Sequence, residues 1–257
     1  MSGADATLPG AAACGPPRPC FTLLPDAGVP QSDLALEQRL LEHAAEGGAC
    51  AAVWECRPAL VVPPTYRRFE RFDALCERFA AQGWPVSVRR SGGGLVPQGP
   101  GMVNLSLAWR TRSRLGDAME AVYLHLCGVL QAAFETFGLE TSAQAVEGSF
   151  CDGRFNLALD GRKAVGTAQY WRRVNAQEHV VLAHACVLVE ADLRRLVERA
   201  NAFEARLGSD RQYSVEAVAN LVPAVAPRPM GQGGQPLSAA SLAQALGRAV
   251  AGRRVPC

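Results

Sequence analysis

Lysine is almost missing from this sequence. Of its twenty-six Lys and Arg residues, only Lys163 is lysine. No apolar run approaches the roughly eighteen residues that would mark a membrane span. No C-x-x-C pair occurs among the nine cysteines, and the four histidines do not stand at zinc-finger spacings, so no metal site is expected. The first twenty residues, MSGADATLPGAAACGPPRPC, lack the basic and then apolar regions of a secretory signal. A disulfide scaffold is not expected in a chain this long without an export signal, so reduced thiols and a cytoplasmic location are the expectation. The net charge of +2 is nearly balanced and the arginines are dispersed, in pairs such as Arg67–Arg68, Arg172–Arg173 and Arg194–Arg195. A phosphate-tracking surface needs a concentrated positive stripe, so no nucleic-acid partner and no membrane partner are expected.

What is present is ordinary globular material: 49% apolar residues, 19% charged and 7% aromatic. The pattern predicts a loose Pro/Gly/Ala leader over 1–30, a catalytic domain over 31–222, and a Pro/Gly-rich linker with a short terminal helix over 223–257. Ser32 is placed to cap a helix through LALEQRLLEHAAE, with Leu36, Leu40 and Leu41 on one face. AAVWEC and ALVV read as strands, FDALCERFAAQG as a helix stopped at Gly83, and PVSVRR as a strand entering SGGGLVPQGPG. MVNLSLAW resumes strand alternation, and Leu115 to Phe137 reads as a long amphipathic helix. Asp160-Gly161 is a two-residue hairpin signal between FNLAL and RKAVGTAQYW. VVLAHACVLV is a further strand, ADLRRLVERANAF and SVEAVANLV read as helices, and SLAQALGRAV as the terminal one. Hairpin-joined strands with helices around them predict an α+β fold rather than a doubly wound parallel sheet.

Three features can carry chemistry. The loop Arg89-Arg90-Ser91-Gly92-Gly93-Gly94 lets backbone approach a ligand closely and presents amides to an anion or carbonyl oxygen; the alternative is a flexible turn, which needs fewer glycines. Cys151 sits in the turn EGSFCDGRF, unlike Cys127 within a helix, and a nearby ammonium would favour its thiolate. Pairing through the Asp160-Gly161 turn sets Lys163 opposite Leu159 or Ala158, so contact with Cys151 requires the 149–154 loop to fold back. Lys163 itself is either a compact cation for a reacting atom or a solubilising turn residue. His184, in an apolar strand, is either functional or held by a backbone hydrogen bond.

RRSGGGLV followed by GRKAVGTAQYWRR resembles the lipoate-protein ligase and octanoyltransferase superfamily, whose members share an R-R-x-S-G-G-G-x-V loop and a G-x-K-x-x-G-x-A-Q hairpin. HACVL is similar to the family's H-G-T-L-L strand, and the likeness runs from about Asp33 to Val222. The resemblance implies a mixed, mostly antiparallel sheet flanked by helices, the catalytic fold shared with biotin ligases. It implies an acyl-contacting role for Lys163 and substrate contacts from Arg90, Ser91, Gly92, Gly93, Gly94, Gly166, Thr167, Ala168 and His184. ATP-dependent ligases read G-G-G-x-V-x-H-D, where this chain has Gln98 and Gly99, and they need an accessory domain for which the 35 residues after Val222 are too few. CDGRFNL resembles the C-P-G-x-(F/Y)-D-L segment of the cysteine-dependent octanoyltransferases and amidotransferases, which places Cys151 at the nucleophile. Asn156 stands for the usual acid there, and Cys186 for the usual Thr or Ser.

That branch implies octanoyl or lipoyl transfer from a carrier protein to a lysine through a Cys151 thioester, with Lys163 and amides near Gly166 and Thr167 meeting the oxyanion. The implied partners are lipoyl domains of 2-oxoacid dehydrogenases or the glycine-cleavage carrier protein, with octanoyl-acyl carrier protein as a donor, and no cofactor is required. The alternatives are an ATP- and Mg-dependent ligase, with Lys163 and Arg90 on the acyl-adenylate phosphate, and a non-catalytic relative that binds lipoyl domains.

Overall fold

A computed structural model of the chain describes residues 19–24, 33–223 and 227–256. Ser32 and most of the predicted leader lie outside these residues. In chain order the elements are strand β1 (Thr22–Leu23), helix α1 (Asp33–Ala45), β2 (Ala49–Glu55), β3 (Ala59–Val62), α2 (Phe72–Ala81), β4 (Val86–Val88), β5 (Val96–Gln98), β6 (Met102–Thr111), α3 (Leu115–Glu135), β7 (Ser142–Ala143), β8 (Leu157–Leu159), β9 (Arg162–Arg173), β10 (His179–Leu188), α4 (Leu193–Leu207) and α5 (Ala239–Val250). Seven strands form one sheet in the order β1-β2-β6-β10-β9-β8-β7, and β4-β3-β5 form a second. Within the large sheet only β1 and β2 run parallel. The predicted α+β class is therefore the observed one.

Strand alternation divides the large sheet into two faces with different work. Leu105, Leu107 and Trp109 of β6 and Val181, Ala183 and Val187 of β10 point to a core shared with α3 and α5. The residues between them, Asn104, Ser106, His184 and Cys186, point to the opposite face, where α1 and the small sheet leave a cavity. Asp160 and Gly161 adopt φ of 50° and 75°, which a two-residue type I′ hairpin requires. The turn pairs Leu159 with Arg162 and Ala158 with Lys163, as the hairpin signal predicts.

Three boundaries differ from the sequence expectation. SVEAVANLV forms only one 3₁₀ turn, Val215–Ala217. Beyond it the chain runs extended, and the amides of Ala219, Leu221 and Val222 donate to the carbonyls of Lys163, Leu188 and Val189, so long-range pairing overrides helical spacing. Part of the predicted leader is ordered: β1 pairs with β2, and Phe21 is buried against Trp109 and His125. Nor is Val222 an edge of packing, because α5 contributes Leu242, Leu246 and Val250 to the main core and is capped by a Ser238/Ser241 box. With Leu237, four fully buried aliphatic side chains follow Pro223. At about 1.5–3 kcal/mol each, their burial is comparable to the whole stability of a typical domain, roughly 5–15 kcal/mol. A chain ending at Pro223 is therefore expected to lose cooperative thermal unfolding, a loss that circular dichroism would register; retention of a sharp transition would show α5 to be an accessory.

Candidate active site

Cys151 lies where the 149–154 loop folds back over the large sheet. Its backbone has φ of 47°, a left-handed conformation rare outside glycine. Two donors pin its carbonyl there: Lys163 Nζ at 3.0 Å and Asn156 Nδ2 at 3.1 Å. Asn156 also accepts the Thr167 amide on Oδ1 at 3.0 Å. This explains why an amide replaces the acid in CDGRFNL, since a carboxylate could accept from Thr167 but could not donate to Cys151. The sulfur itself receives the Gly94 N–H at 3.2 Å and Arg89 Nη2 at 3.7 Å.

The triple glycine is used at two of its three positions. Gly93 has φ of 104°, and a side chain there would collide with Cys151 Sγ. At Gly94 a Cβ would lie 2.6 Å from Arg211 Nη1 and 3.5 Å from Cys151 Cα. Gly92 has open space around it. The loop thus comes close enough to donate backbone hydrogen to sulfur, an approach that a side chain at 93 would prevent, whereas one at 94 would displace the end of Arg211.

Lys163 is buried at 3% exposure, which excludes the solubilising alternative. Its ammonium donates to the carbonyls of Phe150 and Cys151, so it meets the cysteine loop through backbone oxygen. The Nζ lies against the bare Cα of Gly166, where any Cβ would stand 3.3 Å away. A compact ammonium gives two donors to adjacent carbonyls from a single atom, which a planar guanidinium cannot imitate. Burial pushes the Lys163 pKa down to about 8, with Cys151 and Asp152 partly opposing.

That shift has a sign that stability reads. Below pH 8 both folded and unfolded chains carry the proton. Between about 8 and 10.5 the unfolded chain holds it and the folded chain has released it, so wild-type stability gains with rising pH in that window. At about 1.4 kcal/mol per pH unit, wild type should gain about 3 kcal/mol on Lys163→Met between pH 8 and 10.5 in denaturant titrations. A constant difference would place the lysine in a solvated environment instead.

Not every predicted site residue is where the motif implied. Cys151, Lys163, Gly166, Thr167, Ala168 and His184 line the cavity, with Cys186 and Gln98. Arg90 does not: it is exposed, and its Nη2 donates to Gln38 at 2.6 Å. The inward arginine is its neighbour Arg89, 5% exposed, whose guanidinium donates to the carbonyls of Val61, Gly92 and Gly94 as well as to sulfur. Just past the end of β4 the Arg89 amide still donates to Val62 and its side chain turns inward, while Arg90 turns out, a choice the motif alone cannot make. Ser91 is also buried, and it bonds His184 Nε2 at 2.8 Å rather than lining the cavity. The Thr167 amide, expected to meet an oxyanion, is already committed to Asn156. Glu37, which no motif flagged, accepts from His184 Nδ1 at 2.5 Å and Ser106 at 3.1 Å. Its signal was available: Glu37, Leu40, Leu41 and Ala44 share one helical face, and all four are buried.

The cavity, of about 280 Å³, opens beside Cys151 and is walled by Leu34, Trp54, Val61, Val96, Met102 and Leu188. Its polar side carries Gln98 and Asn104, whose amides pair at 3.3 and 3.4 Å.

The chain is 49% identical over 207 residues to an uncharacterised protein of Cupriavidus necator, covering 76% of this chain and 82% of that one. It is 35% identical over 144 residues to the octanoyl-[GcvH]:protein N-octanoyltransferase of Kyrpidia tusciae, covering 54% of this chain and 49% of the relative. The chain therefore spans about half the length of that transferase. Among solved structures it is similar to the bipartite lipoate protein ligase of Thermoplasma acidophilum, studied with its E2 lipoyl domain (TM-score 0.57, 17% identity, 91% of this chain and 82% of that one). It is also similar to lipoate-protein ligase A bound with ATP (TM-score 0.61, 16% identity, 91% and 83%). The family described as lipoyl protein ligase A/B catalytic domain matches residues 29–249, a span that takes in α5, and the chain belongs to that family.

Proposed function

We propose that the protein moves an octanoyl or lipoyl group from a carrier protein to a lysine of a lipoyl domain through a thioester on Cys151. The observation that carries the reading is the sulfur at the cavity mouth, with the Gly94 amide and Arg89 both directed at it. Such donors stabilise negative charge on sulfur and make it a nucleophile. The name of the Kyrpidia tusciae relative supplies the substrate class: an octanoyl group carried by GcvH and delivered to protein. The apolar walls suit an acyl chain, whose burial contributes several kcal/mol at about 0.8 kcal/mol per methylene.

In the first step the Cys151 thiolate attacks the acyl carbonyl, a carbon–sulfur bond forms, and the carrier's leaving group departs and takes up a proton. In the second, the acceptor lysine's neutral amine attacks the thioester, the carbon–nitrogen bond forms, Cys151 leaves as thiolate, and the nitrogen loses a proton to solvent. Dividing the transfer this way means that donor and acceptor need never occupy the site together. With the Thr167 amide engaged by Asn156 and the Arg89 guanidinium held on the carbonyls of Val61, Gly92 and Gly94, the Gly94 amide at the sulfur is the donor assigned to the oxyanion. Lys163 supports the reaction from behind, by holding the loop on which Cys151 sits.

No ATP or magnesium is needed in this scheme. In a ligase, Arg90 would face an adenylate phosphate, whereas here it turns to Gln38 at the surface. Intact-protein mass spectrometry tests the proposal. The pure protein mixed with octanoyl-GcvH, without ATP, should gain one octanoyl mass that hydroxylamine removes. No adduct, together with lipoyl-domain modification that requires free acid, ATP and magnesium, would assign the chain to the ligases. No modification under either condition would leave a binding protein.

A further inference from the structure

A continuous line of side chains runs from helix α1 to the cysteine sulfur. Glu37 is joined to His184 Nδ1 at 2.5 Å, His184 Nε2 to Ser91 Oγ at 2.8 Å, and Ser91 Oγ to Arg89 Nε at 3.1 Å. Arg89 Nη2 then reaches Cys151 Sγ at 3.7 Å. Glu37, Ser91 and Arg89 are all less than a tenth exposed. We infer that Glu37, His184 and Ser91 are positioning residues that hold the Arg89 guanidinium against the Cys151 sulfur and so set its nucleophilicity. The inference rests on Cys151 being the nucleophile.

The inventory of protons allows the line to be read in one direction. Arg89 Nε can only donate, so Ser91 Oγ accepts it. The Ser91 hydroxyl proton then goes to His184 Nε2, which leaves the imidazole proton on Nδ1, where it is donated to Glu37. Ser106 donates to the same carboxylate. Every group is satisfied by this one tautomer, assigned here from the hydrogen bonds. Burial works against a charge on Glu37, but His184, Ser106 and Arg89 hold its carboxyl below the usual range. Nη2 shares its two hydrogens among the carbonyls of Gly92 and Gly94 and the sulfur, so the small tilt that Nε takes from Ser91 decides how far the fork leans to sulfur. Buried ionic chains are a costly way to fill space compared with apolar packing. This one ends on the group that touches sulfur.

Other groups also face Cys151. Lys163 and, across Gly94, Arg211 add positive charge and Tyr123 stands on the acidic side, while Asp152 and Cys186 act on Lys163. None of them joins the Glu37 line.

The test reads the thiol directly and needs no acyl substrate. The full chain and its Ser91→Ala and Glu37→Gln variants are alkylated with iodoacetamide across pH 5–10, and modification of Cys151 is followed by peptide mass spectrometry. Loss of aim on Arg89 should raise the midpoint by about one pH unit and slow alkylation at pH 7 about 3- to 10-fold in both variants. Transfer kcat should fall with it, while KM for the carrier stays near wild type. Through-space electrostatics alone would act in the opposite direction for Glu37→Gln, because removing a negative charge lowers the midpoint. An unchanged or lowered midpoint in folded Ser91→Ala overturns the inference, and that variant, which lacks a single oxygen, decides if Glu37→Gln does not fold. A raised midpoint in a protein that forms no acyl adduct keeps the positioning chain and rejects the transfer reaction instead.

Discussion

With Cys151 replaced by serine, the octanoyl adduct should disappear and transfer should fall by about a thousandfold or more. The site is built to stabilise a thiolate and contains no base for an alcohol. Gly94 N–H and Arg89 donate to the sulfur, while the Lys163 ammonium is spent on the carbonyls of Phe150 and Cys151. The histidine that could serve as a base bonds Ser91 and Glu37. A serine at 151 would therefore keep its proton. Because the oxygen is close to isosteric with sulfur, carrier binding should survive, and the loss should appear in kcat. Retained turnover in Cys151→Ser would move the reaction to an acyl-adenylate and make the cysteine a bystander.

Gly93→Ala should be nearly as severe, with a loss of about a hundredfold or more in kcat/KM. The new methyl would fall on Cys151 Sγ, and φ of 104° is itself strained for alanine by roughly 1–3 kcal/mol. Either the sulfur is displaced or the loop retreats and withdraws the Gly94 amide. A misplacement of about 1 Å at a reacting atom is enough for losses of that order. Gly92→Ala is the control, because its side chain would meet nothing within 4 Å. Equal activity losses at 92 and 93 would mean that the loop needs flexibility rather than close approach. Steady-state kinetics with circular dichroism separates these outcomes from unfolding.

Much of the site was legible because its chemistry is written in local motifs. The glycine loop and the Asp160-Gly161 turn follow from residue type and spacing, and the family resemblance singles out Cys151 and Lys163. The hairpin narrowed the partner of Lys163 to Leu159 or Ala158, and the structure pairs it with Ala158. Arg89 and Glu37 were not legible in that way. Adjacent arginines are equivalent until the chain leaving β4 turns one inward, and Glu37 shares its helical face with Leu40 and Leu41, a spacing signal that no motif singles out. The SVEAVANLV segment failed for a related reason: its helical spacing was overruled by hydrogen bonds to Lys163, Leu188 and Val189, far away in sequence.

The sequence by itself determined the α+β class, the family and the position of the hairpin turn, since each rests on local conformational preference or on a motif; that the cysteine loop folds back onto the lysine hairpin it left open. Tertiary structure alone decided which arginine faces the sulfur, why Asn156 is an amide, that Lys163 grips backbone rather than thiolate, and that α5 belongs to the core. Those outcomes depend on which donors and acceptors burial brings within about 3 Å of one another, and on the requirement that each be satisfied once water is gone.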